Sequence, residues 1–341
     1  MTDAASGELD AEFAALVDAF AERGLPPWHS LSVTAARTLE DDVFGDGGGP
    51  EMAAVREFAI DGPGGDVPVR AYRPPAETST GDGSPGALVF THGGVFVLGT
   101  LDSADDVCRE LAARTGRVVF SVDYRLAPEH PFPAAVDDAY AVVEWAREYA
   151  DAFGADPGCV GVAGTSAGGG IAAATALRAG HEGVPLDVQV LLYPMLSAES
   201  AFGAGGGLRE SYAEHGDAAL LSTADVAWGW EHYLRSPVDA HNPFAVPLRA
   251  DDGLLAAAPP AVVATAGVDV LRDEAVAYAD ALADAGVPVT HAHYPTLAHG
   301  FCSVTDDVTL ADDAFDDVAG SVADVAGVVG DVDSAVGDVD E

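Results

Sequence analysis

The sequence predicts an α/β fold, with a mostly parallel central sheet and helices on both faces. Two observations predict it. From residue 87 onward, short apolar runs alternate with segments of helical spacing, the pattern of strand–helix–strand units covered on both sides. Within that run, residues 159–170 read Cys-Val-Gly-Val-Ala-Gly-Thr-Ser-Ala-Gly-Gly-Gly, and Ala, Ile and Leu dominate 171–179. This is a buried strand, a turn of small residues, and a helix. The turn fits the pattern G-x-S-x-G. A serine on so tight a turn is driven toward positive φ, which is strained for a residue with a Cβ. Gly164 and Gly168 then have a steric reason to flank it, and the Ser166 oxygen stands clear of the sheet. The competing reading is a Gly-rich loop with a chance serine, and the rest of the chain decides between them.

Taken in order, residues 10–23 carry Phe13, Leu16, Val17 and Phe20 at helical spacing, and Gly24 and Pro26-Pro27 end that helix. A second helical stretch follows over 31–38. Residues 1–50 are therefore an expected N-terminal helical cap segment. Residues 55–60 and 67–72 alternate as antiparallel strands about the turn 61–65. A polar loop over 74–85 leads into the strand 87–90, which ends in Thr91-His92-Gly93-Gly94-Val95-Phe96. The helix 103–114, the strand 118–122, the helix 134–153, the 159–179 unit and the strand 186–193 continue the alternation. It breaks over 197–236, Gly-rich first and then aromatic with Trp228, Trp230 and Tyr233, an expected cap insert. It resumes with the strand 261–266, the helix 272–285, the strand 287–294 and a last helix within 306–329. The core is thus 51–196 plus 237–329, and the acidic tail 330–341 is expected to be disordered.

The chain has 341 residues, 49% of them hydrophobic, ample for a buried core. Its charge is unusual. Fifty-six acidic residues face 15 basic ones, every one of them Arg, for a formal net charge of -41. Such like charge pushes a compact fold apart in dilute salt. Near molar salt the Debye length falls to about 3 Å and the repulsion is screened. A halophilic origin with a saline cytoplasm is the expectation, and nucleic-acid partners are disfavoured because phosphates are repelled. No N-terminal run pairs a basic with an apolar region, and no apolar run approaches the ~20 residues that cross a bilayer. A cytoplasmic location without membrane association follows as an expectation. Cys108, Cys159 and Cys302 are widely spaced, read as free and mostly buried thiols rather than a metal site or disulfide frame.

Ligands of such sheets gather at the carboxyl ends of parallel strands. Ser166, Asp269 and His299 each follow a predicted strand. A serine nucleophile needs a base, and the base a carboxylate that fixes its tautomer. His299 is expected to take the Ser166 proton and Asp269 to hold His299. Asp273 and Glu274 are rivals for the acid, disfavoured because they fall within the next helix. Gly93 and Gly94, with the N–H of Ala167 at a helix N-terminus, are the expected oxyanion donors. His92 is read as support for that loop rather than as a base. His291 and His293 share one strand face, but without a third ligand an ordinary strand is the better reading. His130 is read as a turn residue. Trp228, Trp230 and Tyr233 either line a substrate tunnel or pack the cap.

Across residues 89–301 the chain resembles the hormone-sensitive-lipase-like family of α/β-hydrolases. The resemblance rests on His92-Gly93-Gly94, the 123–133 stretch Asp-Tyr-Arg-Leu-Ala-Pro-Glu-His-Pro-Phe-Pro, Gly164-Thr165-Ser166-Ala167-Gly168, Asn242-Pro243-Phe244, the 269–274 stretch Asp-Val-Leu-Arg-Asp-Glu and His299-Gly300-Phe301. The chain order Ser, Asp, His agrees with it. It implies an α/β-hydrolase fold with a helical cap, and hydrolysis of small carboxylic esters through an acyl-enzyme on Ser166, with no cofactor or metal. Two positions depart from the family pattern. Val95 stands where a third glycine is usual and is expected to narrow the pocket toward short acyl groups. Val270 replaces the usual Pro, a mild change. An amidase or deacetylase on the same triad is the alternative enzyme reading. A non-catalytic receptor on this fold is disfavoured by the presence of His299. Oligomeric state is left open, with a homodimer carried as one option.

Overall fold

A computed structural model describes residues 7–45, 47–78, 85–202, 209–218 and 220–336. Its elements are α1 (Ala11–Glu22), α2 (Val33–Phe44), β1 (Ala54–Gly62), β2 (Gly65–Arg73), β3 (Ala87–Thr91), α3 (Asp105–Thr115), β4 (Val118–Val122), α4 (Ala134–Tyr149), β5 (Val160–Thr165), α5 (Ala167–Glu182), β6 (Gln189–Leu192), α6 (Glu199–Phe202), α7 (Glu210–Glu214), α8 (Thr223–Tyr233), α9 (Asp252–Ala256), β7 (Ala261–Val268), α10 (Arg272–Asp284), β8 (Val289–Ala298) and α11 (Thr309–Val336).

The eight strands form one sheet in the order β1-β2-β4-β3-β5-β6-β7-β8. The β1–β2 and β2–β4 pairs are antiparallel and every other pair is parallel. β3, β4, β5 and β6 are buried along their whole length, as parallel strands covered on both faces must be. One apolar cluster packs α4, α5 and α10 on one face of the sheet. A second packs α1, α3 and α11 on the other. The α/β-hydrolase architecture read from the sequence is therefore the observed one.

The helices outside the strand–helix alternation come from two places in the chain. α1 and α2 precede the sheet, and α6 to α8 interrupt it between β6 and β7. Asp10 and Ser32 cap α1 and α2, and Ser222 with Asp225 forms a reciprocal box at the start of α8. Asp225 also accepts from the His29 backbone N–H at 2.9 Å and meets His29 Nδ1 at 2.8 Å, which joins the two sets.

Several sequence expectations need correction. Cys159 is exposed, whereas Cys108 and Cys302 are buried as expected. Its strand begins one residue later, at Val160, so Cys159 belongs to the turn. The last helix continues past residue 329 to Val336, through the first part of the stretch read as a disordered tail. Residues 337–341 lie outside the described residues. The last strand runs on to Ala298 rather than ending at 294. Along residues 306–317 six acidic residues have no basic residue near them in sequence. Arg114 reaches across from α3, with Asp316 at 2.5 Å and Asp312 also in contact.

Candidate active site

The turn between β5 and α5 has the strain its sequence implies. Ser166 adopts φ 53°, and Ala167 opens α5. Chain crowding dictates the flanking glycines. A Cβ on Gly164 would lie 2.4 Å from the Gly168 carbonyl oxygen, and one on Gly168 would lie 2.0 Å from that of Thr91. Thr91 tightens the same spot by donating its hydroxyl to Gly168 O at 2.7 Å. The Ser166 backbone is held by bonds to Leu192 O and from Met195 N, each 2.9 Å.

His299 directly follows β8, and its Nε2 lies 3.0 Å from Ser166 Oγ. Its Nδ1 lies 2.8 Å from Asp269 Oδ2. Asp269 is buried beyond the end of β7, and its other oxygen accepts the Leu271 N–H at 2.9 Å. With Nδ1–H donating to the carboxylate, Nε2 presents a lone pair to the hydroxyl. A hydroxyl so placed can be deprotonated as it attacks, and the buried carboxylate stabilises the imidazolium that forms. The Tyr193 ring packs edge-on against His299 at 4.9 Å and limits its rotation.

The turn after β3 faces Ser166. Gly94 sits at φ +112°, and a Cβ there would lie 2.3 Å from Leu98 O. Among the described residues the N–H groups of Gly93, Gly94 and Ala167 donate to no protein acceptor, so they are free for an incoming anion. His92 braces this loop from within. Its Nδ1–H donates to Gly93 O at 2.8 Å, its ring stacks on Tyr124 at 4.3 Å, and Tyr124 OH donates to His92 O at 2.8 Å. Burial pushes the His92 imidazolium down to about 4, which keeps the ring neutral. Arg37 of α2 adds a second brace, donating to Val97 O and Ala127 O at 2.9 Å each and pairing with Glu129 at 2.8 Å.

Ser166, His299, Gly93, Gly94 and His92 line a cavity of about 220 Å³ whose walls include Phe13, Phe20, Trp28 and Phe44 from the N-terminal segment and Leu220 from between α7 and α8. A wider space of about 880 Å³ adjoins it across Phe20, Trp28, Phe44 and Leu220. Val95 is on the inner wall, buried and at φ 47°. A β-branched residue is rarely tolerated there.

Of the residues named from sequence, the structure brings Ser166, Asp269, His299, Gly93, Gly94, Ala167 and His92 together. Asp273 and Glu274 are turned away. Asp273 accepts the Ser211 N–H at 2.8 Å. Glu274 accepts from Leu196 N at 2.6 Å, Ser197 N at 3.2 Å and Tyr212 OH at 2.9 Å, and burial pushes it up to about 8. Both tie the 197–236 segment to the core. Trp230 and Tyr233 pack on Phe96 at 4.8 and 4.0 Å, which settles them, with Trp228 on His232, as packing residues rather than walls of this cavity. His291 and His293 share the Thr265 hydroxyl, each at 2.9 Å. Among the described residues no group of three or more His, Cys, Asp or Glu is arranged to hold a metal, and no helix is long and apolar enough to cross a membrane. The braces from Tyr124, Thr91 and Arg37 were not found in the sequence. Tyr124 and Arg37 lie tens of residues from the turn they support, and only the tertiary fold relates them.

Residues 88–303 match the α/β-hydrolase fold family, and the chain belongs to it, in its hormone-sensitive-lipase-like branch of carboxylic-ester hydrolases. Similar proteins include the esterase LipI of Mycobacterium tuberculosis, 41% identical over 268 residues covering 78% of this chain and 80% of LipI. An ethyl acetate hydrolase of Pseudomonas putida is 34% identical over 292 residues, covering 84% and 88%. The solved structure of a hyperthermophilic esterase from Pyrobaculum calidifontis superposes with a TM-score of 0.82 at 35% identity, covering 93% and 98% of the two chains.

Proposed function

We propose that this chain hydrolyses short-chain carboxylic esters through an acyl-enzyme on Ser166. The observation that carries it is the continuous contact from Ser166 through His299 to buried Asp269, at 3.0 and 2.8 Å, on the wall of the cavity. Ser166 Oγ attacks the ester carbonyl while His299 Nε2 takes its proton. The oxyanion accepts hydrogen bonds from Gly93, Gly94 and Ala167, each worth about 3–4 kcal/mol of barrier. His299 returns the proton to the departing alcohol. Water then repeats the sequence on the acyl group, freeing the acid and restoring Ser166. Residues 7–50 and 197–236 act together as the cap over this cavity.

A panel of p-nitrophenyl esters from acetate to palmitate, assayed in molar salt, tests the reading. Turnover is expected to peak at short acyl groups, because the cavity is small and Val95 occupies its wall. Faster hydrolysis of palmitate than of butyrate contradicts it. Val95→Gly relieves both the bulk and the left-handed backbone strain, and should extend the range to longer chains. The matching anilide being cleaved faster than the ester would move the activity to amides.

Asp269→Asn should lower kcat/KM about 10⁴-fold, since an amide neither holds the needed His299 tautomer nor stabilises the imidazolium. Asp273→Asn and Glu274→Gln should stay within about tenfold of wild type, as their groups face the 197–236 segment. The three rates measured side by side decide the assignment; the reverse ranking would place the acid in α10.

A further inference from the structure

One ionisable group on the cavity wall has no part in the chemistry above. Glu40, on the inner face of α2, is only 7% exposed, and its side chain lines the same cavity as Ser166 and His299. The walls around it are largely apolar, with Leu98 and Phe44 among them. The Ser103 hydroxyl and the Gly99 backbone N–H lie within its reach, and the one charge acting on it among the described residues is Asp41, of like sign. Arg37, one turn earlier, is committed to Val97 O, Ala127 O and Glu129, so it fixes α2 in place without neutralising Glu40. A buried carboxyl without a cation is costly unless a partner meets it. Here the cavity that Glu40 lines is the space a substrate enters.

We propose that Glu40 is a specificity-determining residue whose carboxyl forms a polar subsite in the substrate cavity, selecting esters that carry a hydroxyl on the arm reaching it. This rests on the reading of Ser166 as the ester-hydrolysing nucleophile. A carboxyl oxygen accepts a hydrogen bond from a hydroxyl whether or not the group is ionised. A purely alkyl arm adds no donor to the two that Ser103 and Gly99 offer the carboxyl, and a site built around a polar group discriminates against the partner lacking it. An arm ending in a carboxylate meets like charge. The bland account is that Glu40 only latches α2 to Ser103 and Gly99, a role that lowers melting temperature without altering choice of substrate.

The test compares kcat/KM within isosteric pairs in molar KCl. Ethyl ω-hydroxyhexanoate against ethyl heptanoate probes the acyl arm, and ω-hydroxybutyl acetate against pentyl acetate probes the alcohol arm. In one pair the hydroxyl ester should equal or exceed its methyl counterpart in wild type. Glu40→Leu should lower that hydroxyl-to-methyl ratio about tenfold or more, and Glu40→Gln, which keeps an acceptor oxygen, should retain most of it. The ratio is taken within each variant, so a uniform loss cancels. An unchanged ratio in both pairs for Glu40→Leu overturns the proposal and leaves ester hydrolysis standing. Should Glu40→Leu fail to fold, the wild-type ratio decides: a preference of about tenfold or more for the methyl ester in both pairs overturns it. If wild type cleaves none of the four esters, the reading of Ser166 fails and this proposal falls with it.

Discussion

Ser166→Ala should abolish ester hydrolysis, lowering kcat by about 10⁵–10⁶ while the fold is retained. The serine oxygen is the atom that bonds to the substrate, and among the described residues no other hydroxyl is in contact with His299 Nε2. What survives is the contribution of the oxyanion N–H groups and of binding, about 10³–10⁴ over the reaction in water. Stability should be close to unchanged. Alanine keeps the Cβ, so the φ of 53° is no more strained than before, and among the described residues the side chain's one hydrogen bond is to His299. Purified mutant protein with an unaltered melting temperature and no turnover is the expected result. Near wild-type turnover would remove Ser166 from the mechanism.

The second large effect is that of salt. A net charge of -41 with no Lys leaves most carboxylates without a cation. The structure shows how the few Arg residues are shared. Arg70 meets Glu57, Asp102 and Asp105, Arg114 meets Glu110, Asp312 and Asp316, and Arg272 meets Glu214 and Asp273. Such sharing relieves local crowding, yet Asp306, Asp307, Asp313 and Asp317 remain exposed along the last stretch of the chain. Dilution from molar salt to ~0.01 M lengthens the Debye length from about 3 to about 30 Å, so repulsion acts across the whole surface. Typical folds have about 5–15 kcal/mol to lose. The melting temperature is expected to fall by about 10 °C or more as KCl is lowered, with inactivation at the low end. Mild acid at low salt should partly restore it by protonating carboxylates. A melting temperature flat from low to molar KCl would defeat the halophilic reading.

Much of this molecule is legible in its sequence because its signals are local. The β5–turn–α5 unit declares itself through small residues that crowding requires, and β3 to β6 through continuous apolar runs that burial on both faces requires. Ser166, Asp269 and His299 were placed by one rule, that each follows a strand. What was illegible depends on distance in the chain. Nothing near Asp312 foretells Arg114. Glu40 falls outside the helical stretch read over 31–38, and only the longer α2, which runs to Phe44, carries it onto the cavity wall. The aromatic residues of α8 suit a tunnel wall or a packed core equally by composition, and only their contacts with Phe96 and His232 decide. Cys159 was misassigned because the strand boundary falls one residue beyond it.

Ser166 is the proposed nucleophile, activated through His299. The most direct test of that role is covalent capture: protein in molar KCl is treated with diethyl p-nitrophenyl phosphate and mapped by peptide mass spectrometry. Attack by Ser166 Oγ on phosphorus expels p-nitrophenolate and leaves a diethylphosphoryl ester on the serine. One p-nitrophenolate should be released per chain, with the adduct on the peptide containing Ser166 and activity lost in step with labelling. Ser166→Ala should take up no label, and His299→Ala should label far more slowly. Full labelling with activity intact, or an adduct confined to another residue, would contradict it.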